Sequence, residues 1–320
     1  MFAIGSFLLL FILSGPPHVE AGPVWIDADP ACGLGMTDDV DDCWAIIAAI
    51  RSSSLHVVGV STVFGNVQVE QATDSAKGLL NVISLHEPGR ALPPLYEGAG
   101  RSIKQVTDIP PAVMELETAL TESPVTILAL GPLTNVAILL KHRPELIPRI
   151  TAIVAVAGQR PGQVFRVGNT PILHFHDLNV RKDSDAVEIV LRAGVPLYLI
   201  PFEVSQQVVI TRRHLRALEE QSSLDAWLSA RSAPWLEFWE DTLGAQGFSP
   251  FDLLAVAFLV DPSQFTCQII PARLVRRHGL FVVRDTLEVS SSFERDNIVH
   301  YCSDISSTVR RAPIKLLAPE

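Results

Sequence analysis

Residues 24–50 read VWIDADPACGLGMTDDVDDCWAIIAAI: an apolar run ends in two alternating aspartates, and a loop later four more precede an apolar helix. Asp27, Asp29, Asp38, Asp39, Asp41 and Asp42 thereby place six carboxylates within sixteen residues. Like charges at this density repel and are costly to keep ionised together, so the pattern points to a cation among them. Val24, Trp25 and Ile26 read as a buried strand that delivers Asp27 and Asp29 to its carboxyl end, where open α/β sheets gather their ligands. Asp41 and Asp42 then open a helix, whose dipole favours negative charge at that end. The plainer reading, a solvated acidic loop with a helix cap, is at odds with Asp27 and Asp29 standing on a strand end rather than in a polar run.

The rest of the chain repeats the alternation. Residues 56–62, 125–130, 150–156 and 196–200 read as apolar strands, and 69–83, 134–141 and 185–193 as the helices between them. Strands alternating with helices predict an α/β fold with a mainly parallel central sheet and helices on both faces. The stretch 158–183 is longer than an ordinary connection, which marks it as functional or mobile. Residues 211–247 are helical in pattern and carry Trp227, Trp235, Phe238 and Trp239; from Pro250 a strongly apolar helix begins with Asp252 in its first turn, and the region beyond Cys267 reads as short strands.

A length of 320 residues with 48% hydrophobic and 19% charged side chains is globular. No repeat or linker divides it, so one domain is expected over 22–320. The net charge of −10 is spread along the chain, which argues against a nucleic-acid polymer as partner. Residues 2–13 are apolar but too short for a stable membrane span, and Val19-Glu20-Ala21 resembles a cleavage site, so 1–21 is read as a signal peptide and the chain as exported, although no Lys or Arg precedes the run. The four cysteines allow three pairings; Cys32 and Cys43 flank the acidic loop and would staple it, and four buried free thiols are the alternative.

Taken in order, several segments resemble the inosine-uridine preferring nucleoside hydrolase family. Its opening DxDPGxDD is matched by Asp27-Ala28-Asp29-Pro30 and then Asp41-Asp42. Further matches are VSTVFGNV at 60–67, ILALGPLTNVAILLKHRPEL at 127–146, a GN followed by an acidic residue and an asparagine within 168–179, and DLLAVAFLVDP at 252–262. The resemblance implies a Rossmann-like fold and a Ca2+ ion bound by Asp29, Asp42, Asp252 and the main-chain carbonyl of Leu130. It also implies that Asp29 takes a proton from the attacking water, and that Asp41, Asn66, Asn169, Asp177 and Asn179 hold the sugar hydroxyls of a small-molecule ribonucleoside. Dimers or tetramers are implied by the same analogy.

Four departures qualify it. Ten residues, Ala31 to Val40, separate Pro30 from the Asp pair where the family has two, which opens a second register with Asp38-Asp39 as the pair. Phe251 stands where many members have a histidine that protonates the leaving base, Asp177 stands where glutamate is usual, and a small insertion carries His174 and His176. With the acid missing, purines are expected over pyrimidines, and Trp235 and Trp239, one helical turn apart, are expected to sandwich the base. Two rival readings are a non-catalytic exported protein binding a ribosyl ligand, and a phosphohydrolase with an aspartyl nucleophile.

Overall fold

The computed structural model describes residues 22–33, 35, 38–168, 174–278 and 283–317. The expectations for a leader at 1–21 and for Asn169 lie outside the described residues, as does the side chain of His174.

In chain order the elements are β1 (Pro23–Ala28), α1 (Asp41–Arg51), β2 (His56–Thr62), α2 (Val69–His86), β3 (Leu95–Tyr96), α3 (Pro111–Glu122), β4 (Val125–Ala129), α4 (Thr134–His142) and β5 (Ile150–Ala155). Then come β6 (Phe165–Arg166), β7 (His174–Phe175), α5 (Leu178–Lys182), α6 (Ser184–Arg192), β8 (Leu197–Leu199), α7 (Phe202–Ser205), α8 (Arg212–Glu219) and α9 (Ser223–Glu237). The chain closes with α10 (Phe251–Val260), β9 (Phe265–His278), β10 (Val283–Val289), β11 (Ile298–Ile305) and α11 (Ser307–Arg311).

Nine strands form one sheet in the order β10-β9-β11-β8-β5-β4-β1-β2-β3. Pairings from β11 to β3 are parallel, and β9 pairs antiparallel with both β10 and β11. Side chains alternate across a strand, and the alternation here feeds two cores. Val24, Ile26, Leu128 and Val154 face one, with α1, α9 and α10, whereas Trp25, Ile127 and Ile153 face the other, with α3, α4 and α6. Helices therefore cover both faces, and the central strands are continuously apolar because neither side meets water.

Most elements match the sequence reading. The region beyond Cys267 does not form short strands only: β9 runs for 14 residues, since antiparallel partners on both sides satisfy its backbone over that length. Helix α3 was not anticipated, although its buried Ala112, Val113, Leu116 and Leu120 repeat at helical spacing behind a proline at the first turn. The cysteines pair as Cys32–Cys43 and Cys267–Cys302, so the free-thiol alternative is set aside.

Candidate active site

From β1 the chain proceeds outward through β2 to β3, then returns to β4 on the other side of β1. Strand order reverses at this point, which opens a crevice at the carboxyl ends of β1 and β4. Asp29 leaves β1 and Leu130 leaves β4 at its lip. Asp29 Oδ2 accepts the backbone N–H of Asn66 at 2.6 Å, and the backbone N–H of Asp29 donates to Asp42 Oδ1 at 3.1 Å. Gly65 permits this closeness, because a Cβ there would lie 1.8 Å from Asp29 Oδ2. Asn66 Nδ2 donates in turn to Asp42 Oδ2 at 3.3 Å.

Two buried helices aim their first turns at the same place. Helix α1 is apolar on every side and buried from Asp41 through Ile50, and α10 is buried from Asp252 through Phe258. Each is locked in the core, so the acids of its first turn cannot swing to solvent. Carboxylate oxygens of Asp41, Asp42 and Asp252 come within 4.8 Å of one another. This trio contains Asp41 where the sequence reading had Asp29; Asp29 joins through its hydrogen bond to Asp42. The alternative pair does not enter the trio, although Asp38 and Asp39 line the same cavity; Asp39 accepts the N–H groups of Val40 at 2.7 Å and Asp41 at 3.2 Å just ahead of α1.

The electrostatics of the cluster follow from its burial and from the closeness of its acids. Burial, and then the neighbouring aspartates, push Asp41, Asp42 and Asp252 well above the usual carboxylate range, and burial pushes Asp29 up to about 7 against the hydrogen bond from Asn66. Among the described residues none of these four carboxylates forms an ion pair. Four buried acids with no ion pair among the described residues, Lys182 acting on Asp29 only from a distance, fit a hard divalent cation, which takes oxygen ligands and removes the repulsion.

Beneath the cluster lies a polar network that the sequence reading did not assign. Asp27 Oδ1 accepts Ser61 Oγ–H at 2.6 Å and Asn135 Nδ2–H at 2.8 Å, Trp25 Nε1–H donates to Ser61 at 2.7 Å, and Asn135 also donates to the Thr62 carbonyl at 2.9 Å. Asn135 belongs to the GPLTN segment, and its neighbour Thr134 donates to Asp183 at 2.7 Å. The segment thus ties β1, β2 and α4 together under Asp29. A signal existed in the sequence, since Asn135 and Asp27 both stand at strand-to-helix junctions.

Above the cluster opens a cavity of about 380 Å³, within the range of small-molecule sites. Asp29, Asp41, Asn66, Leu130, Asp177, Asn179, Trp235, Trp239 and Asp252 all line it, and Asp42 lies one step behind. Asn179 Nδ2 donates to the carbonyls of Leu130 at 2.7 Å and Val156 at 3.0 Å, leaving Leu130 a second lone pair. Asp177 caps α5 through Val180 N–H at 3.0 Å and accepts Gly158 N–H at 2.8 Å, so its carboxylate is held by backbone donors while it lines the cavity. His176 lines the cavity as well.

The far wall is aromatic. Phe202 packs on Phe165 at 5.0 Å between centroids, Phe165 on Phe251 at 5.5 Å, Phe251 on Trp239 at 6.3 Å, Trp239 on Trp235 at 5.9 Å and Trp235 on Phe238 at 5.4 Å. The expected sandwich between the two tryptophans is not formed. Their planes meet at 70°, edge to face, whereas a base held between two faces needs parallel rings roughly 7 Å apart, twice the carbon contact distance. The cause is a π-helical turn over Phe238–Thr242 that follows α9 and re-aims Trp239. Phe238 was a candidate stacking residue beside Trp235 and Trp239, whereas Phe165 and Phe202 were not singled out, because no periodicity connects segments so far apart in sequence.

Residues 24–305 match the inosine-uridine preferring nucleoside hydrolase family. The non-specific ribonucleoside hydrolase RihC of Escherichia fergusonii is 30% identical over 269 residues, spanning 76% of this chain and 81% of that protein. The protein of the same name from Escherichia coli is 30% identical over 264 residues with the same coverage. Among solved structures, the plant nucleoside hydrolase PpNRh1 aligns with a TM-score of 0.76 at 23% identity, covering 93% of this chain and 98% of that one. A purine-preferring ribonucleoside hydrolase from Gardnerella vaginalis aligns with a TM-score of 0.74 at 21% identity, covering 93% and 97%. At these identities the structural likeness establishes the fold.

Proposed function

The chain belongs to the inosine-uridine preferring nucleoside hydrolase family, and from that premise we propose that it hydrolyses purine ribonucleosides to free base and ribose with a bound calcium ion and Asp29 as general base. The coarser statement, a hydrolase acting on the N-glycosyl bonds of ribonucleosides, follows from membership itself, and it leaves the phosphohydrolase and pure-binder readings without support. The observation that carries the finer reading is the convergence of Asp29, Asp41, Asp42 and Asp252 on one floor of a cavity whose opposite wall is aromatic.

Asp29, Asp42, Asp252 and the Leu130 carbonyl are the groups that would hold the cation, and all are oxygen donors as calcium requires. A bound calcium supplies Lewis-acid polarisation of water and a template for the ribose diol. Asp29 accepts the water's proton as the oxygen attacks the anomeric carbon, and its orientation is fixed by the Asn66 N–H on Oδ2. Asp41 and Asn66 at the floor, with Asp177 and Asn179 at the side, face the sugar hydroxyls, so a diol is preferred over a deoxyribose. The base lies against the aromatic wall, where Trp235, Trp239 and Phe251 offer flat apolar surface; Phe251 has no proton to give, so as the C–N bond breaks the departing base takes its proton from solvent. Stacking of this kind is worth roughly 1–3 kcal/mol per base and favours the larger purine ring.

A reducing-sugar assay across inosine, adenosine, guanosine, uridine and cytidine tests the reading. Faster release from the purines, abolished by a calcium chelator and restored by calcium, is the expected result. Equal rates on all five would remove the purine preference, and indifference to chelation would remove the metal.

A further inference from the structure

The inserted loop between Pro30 and Asp41 has a second feature besides its acids: it is closed by the disulfide Cys32–Cys43. One end of the bridge lies three residues beyond Asp29, and the other directly follows Asp42. The bridge therefore ties together the two backbone segments that carry Asp29 and Asp42, the same segments joined by the hydrogen bond from Asp29 N–H to Asp42 Oδ1. Both sulfurs are buried, Cys32 being 5% and Cys43 1% exposed. Cys32 and Gly33 adopt successive left-handed conformations, with φ of 49° and 62°. A Cβ on Gly33 would lie 2.5 Å from the Arg231 carbonyl of α9, so the turn is pressed against that helix. Gly33 N–H reaches back to the Asp39 carbonyl at 3.4 Å, and the Asp39 side chain accepts the N–H groups of Val40 and Asp41 just ahead of α1.

Charge explains why such a tie matters. Binding a cation requires the carboxylates of Asp29, Asp41, Asp42 and Asp252 to be ionised together, and their repulsion then tends to move the segment after β1, which carries Asp29, away from the first turn of α1, which the core holds in place. A covalent link across those segments opposes the movement and keeps the oxygens near their bound positions, which lowers the ordering cost of binding. Resting on the calcium reading above, we propose that the Cys32–Cys43 disulfide is a positioning element for the metal-binding carboxylates, so that cation affinity depends on the bridge being intact. Reduction breaks the S–S bond and gives two thiols, which take two electrons and two protons; a phosphine supplies the electrons and leaves as its oxide.

The test is calorimetric titration of calcium into chelator-treated, dialysed full-length protein, with urea midpoints measured in chelator alongside. The forms compared are the oxidised wild type, the phosphine-reduced wild type, Cys32→Ala, the double variant Cys32→Ala with Cys43→Ala, and a control with Cys267→Ala and Cys302→Ala. The control bridge joins register partners on β9 and β11, four strands along the sheet from β1. Its loss is expected to lower the urea midpoint while leaving the calcium affinity unchanged. Loss of Cys32–Cys43 is expected to weaken calcium about tenfold or more, in Cys32→Ala as well as in the double variant, beyond any change in the midpoint. Cys32→Ala keeps the Cys43 side chain in α1, so it remains informative if the double variant does not fold. Equally tight calcium in every folded form overturns the proposal alone. An oxidised wild type that takes up no calcium overturns the metal reading and this proposal with it.

Discussion

The proposed mechanism gives the Asp29 carboxylate two roles, cation ligand and general base. Oδ2 is fixed by Asn66 N–H, and without a cation burial pushes the carboxyl up to about 7. Asp29→Asn keeps an acceptor for Asn66 and removes the base. It is expected to stay folded by circular dichroism and to lose on the order of 10²- to 10⁴-fold in kcat, with weaker calcium binding adding to the loss. Near-parental turnover would reassign the base. Trp239 makes the second residue-scale prediction, because it faces the cavity and packs on Phe251. Trp239→Ala is expected to lower kcat/KM for inosine by about tenfold or more, from a stacking contribution of roughly 1–3 kcal/mol. With p-nitrophenyl riboside, whose leaving group needs no protonation, the loss should be smaller. An equal loss on both substrates would mean that the ring is packing only, and would turn attention to His176 as the source of the proton.

Helices α1 and α10 are the elements that make the site, because each buries its whole length and presents its first-turn acids to the same point. The register of the acidic pair is tested here. Asp42→Ala is expected to abolish stabilisation by calcium, which for a saturated site at 100 times Kd is about 2.7 kcal/mol. Asp39→Ala removes the acceptor of the Val40 and Asp41 N–H groups and is expected to cost about 1 kcal/mol with or without calcium, leaving the calcium increment intact. A thermal-shift titration with the reverse pattern would move the pair to Asp38-Asp39. Proton linkage gives a further check. Each cluster carboxylate has a folded pKa raised above its ordinary 3.8, so the folded protein holds protons that the unfolded chain releases. In chelator, that contribution to stability is full below about pH 4 and is lost as pH rises through the raised folded values, about 7 for Asp29. The melting temperature in chelator is therefore expected to fall over this window, and the increment from calcium to grow with pH as protons cease to compete. A calcium increment independent of pH would contradict the linkage. The acids at the two helix starts were legible in the sequence because an apolar run follows each directly. The π-helical turn after α9 was not, since Phe238 and Trp239 fit an ordinary helical repeat, and only the packing of Trp239 on Phe251 reveals the change of direction.

For the whole molecule, the order of strands around β1 decides where chemistry can occur; the alternation of apolar runs with helices announced a mainly parallel sheet, but not that order. The reversal between β1 and β4 puts Asp29 and Leu130 at one crevice, which is why residues a hundred positions apart in sequence share a cavity. Less accessible were long-range relations with no local pattern: the pairing of Cys267 with Cys302 across β9 and β11, and the aromatic wall drawn from Phe165, Phe202, Phe238 and Phe251. Periodicity reports which face of an element is buried, whereas these contacts depend on which elements become neighbours. Among the described residues no helix is long and apolar enough to cross a membrane. The most direct measurement of the central claim is ribose release from inosine by the wild type and Asp29→Asn, each assayed in excess calcium and in chelator. The account predicts rapid release only for the wild type in calcium. Undiminished release by the wild type in chelator, or by Asp29→Asn in calcium, would contradict it.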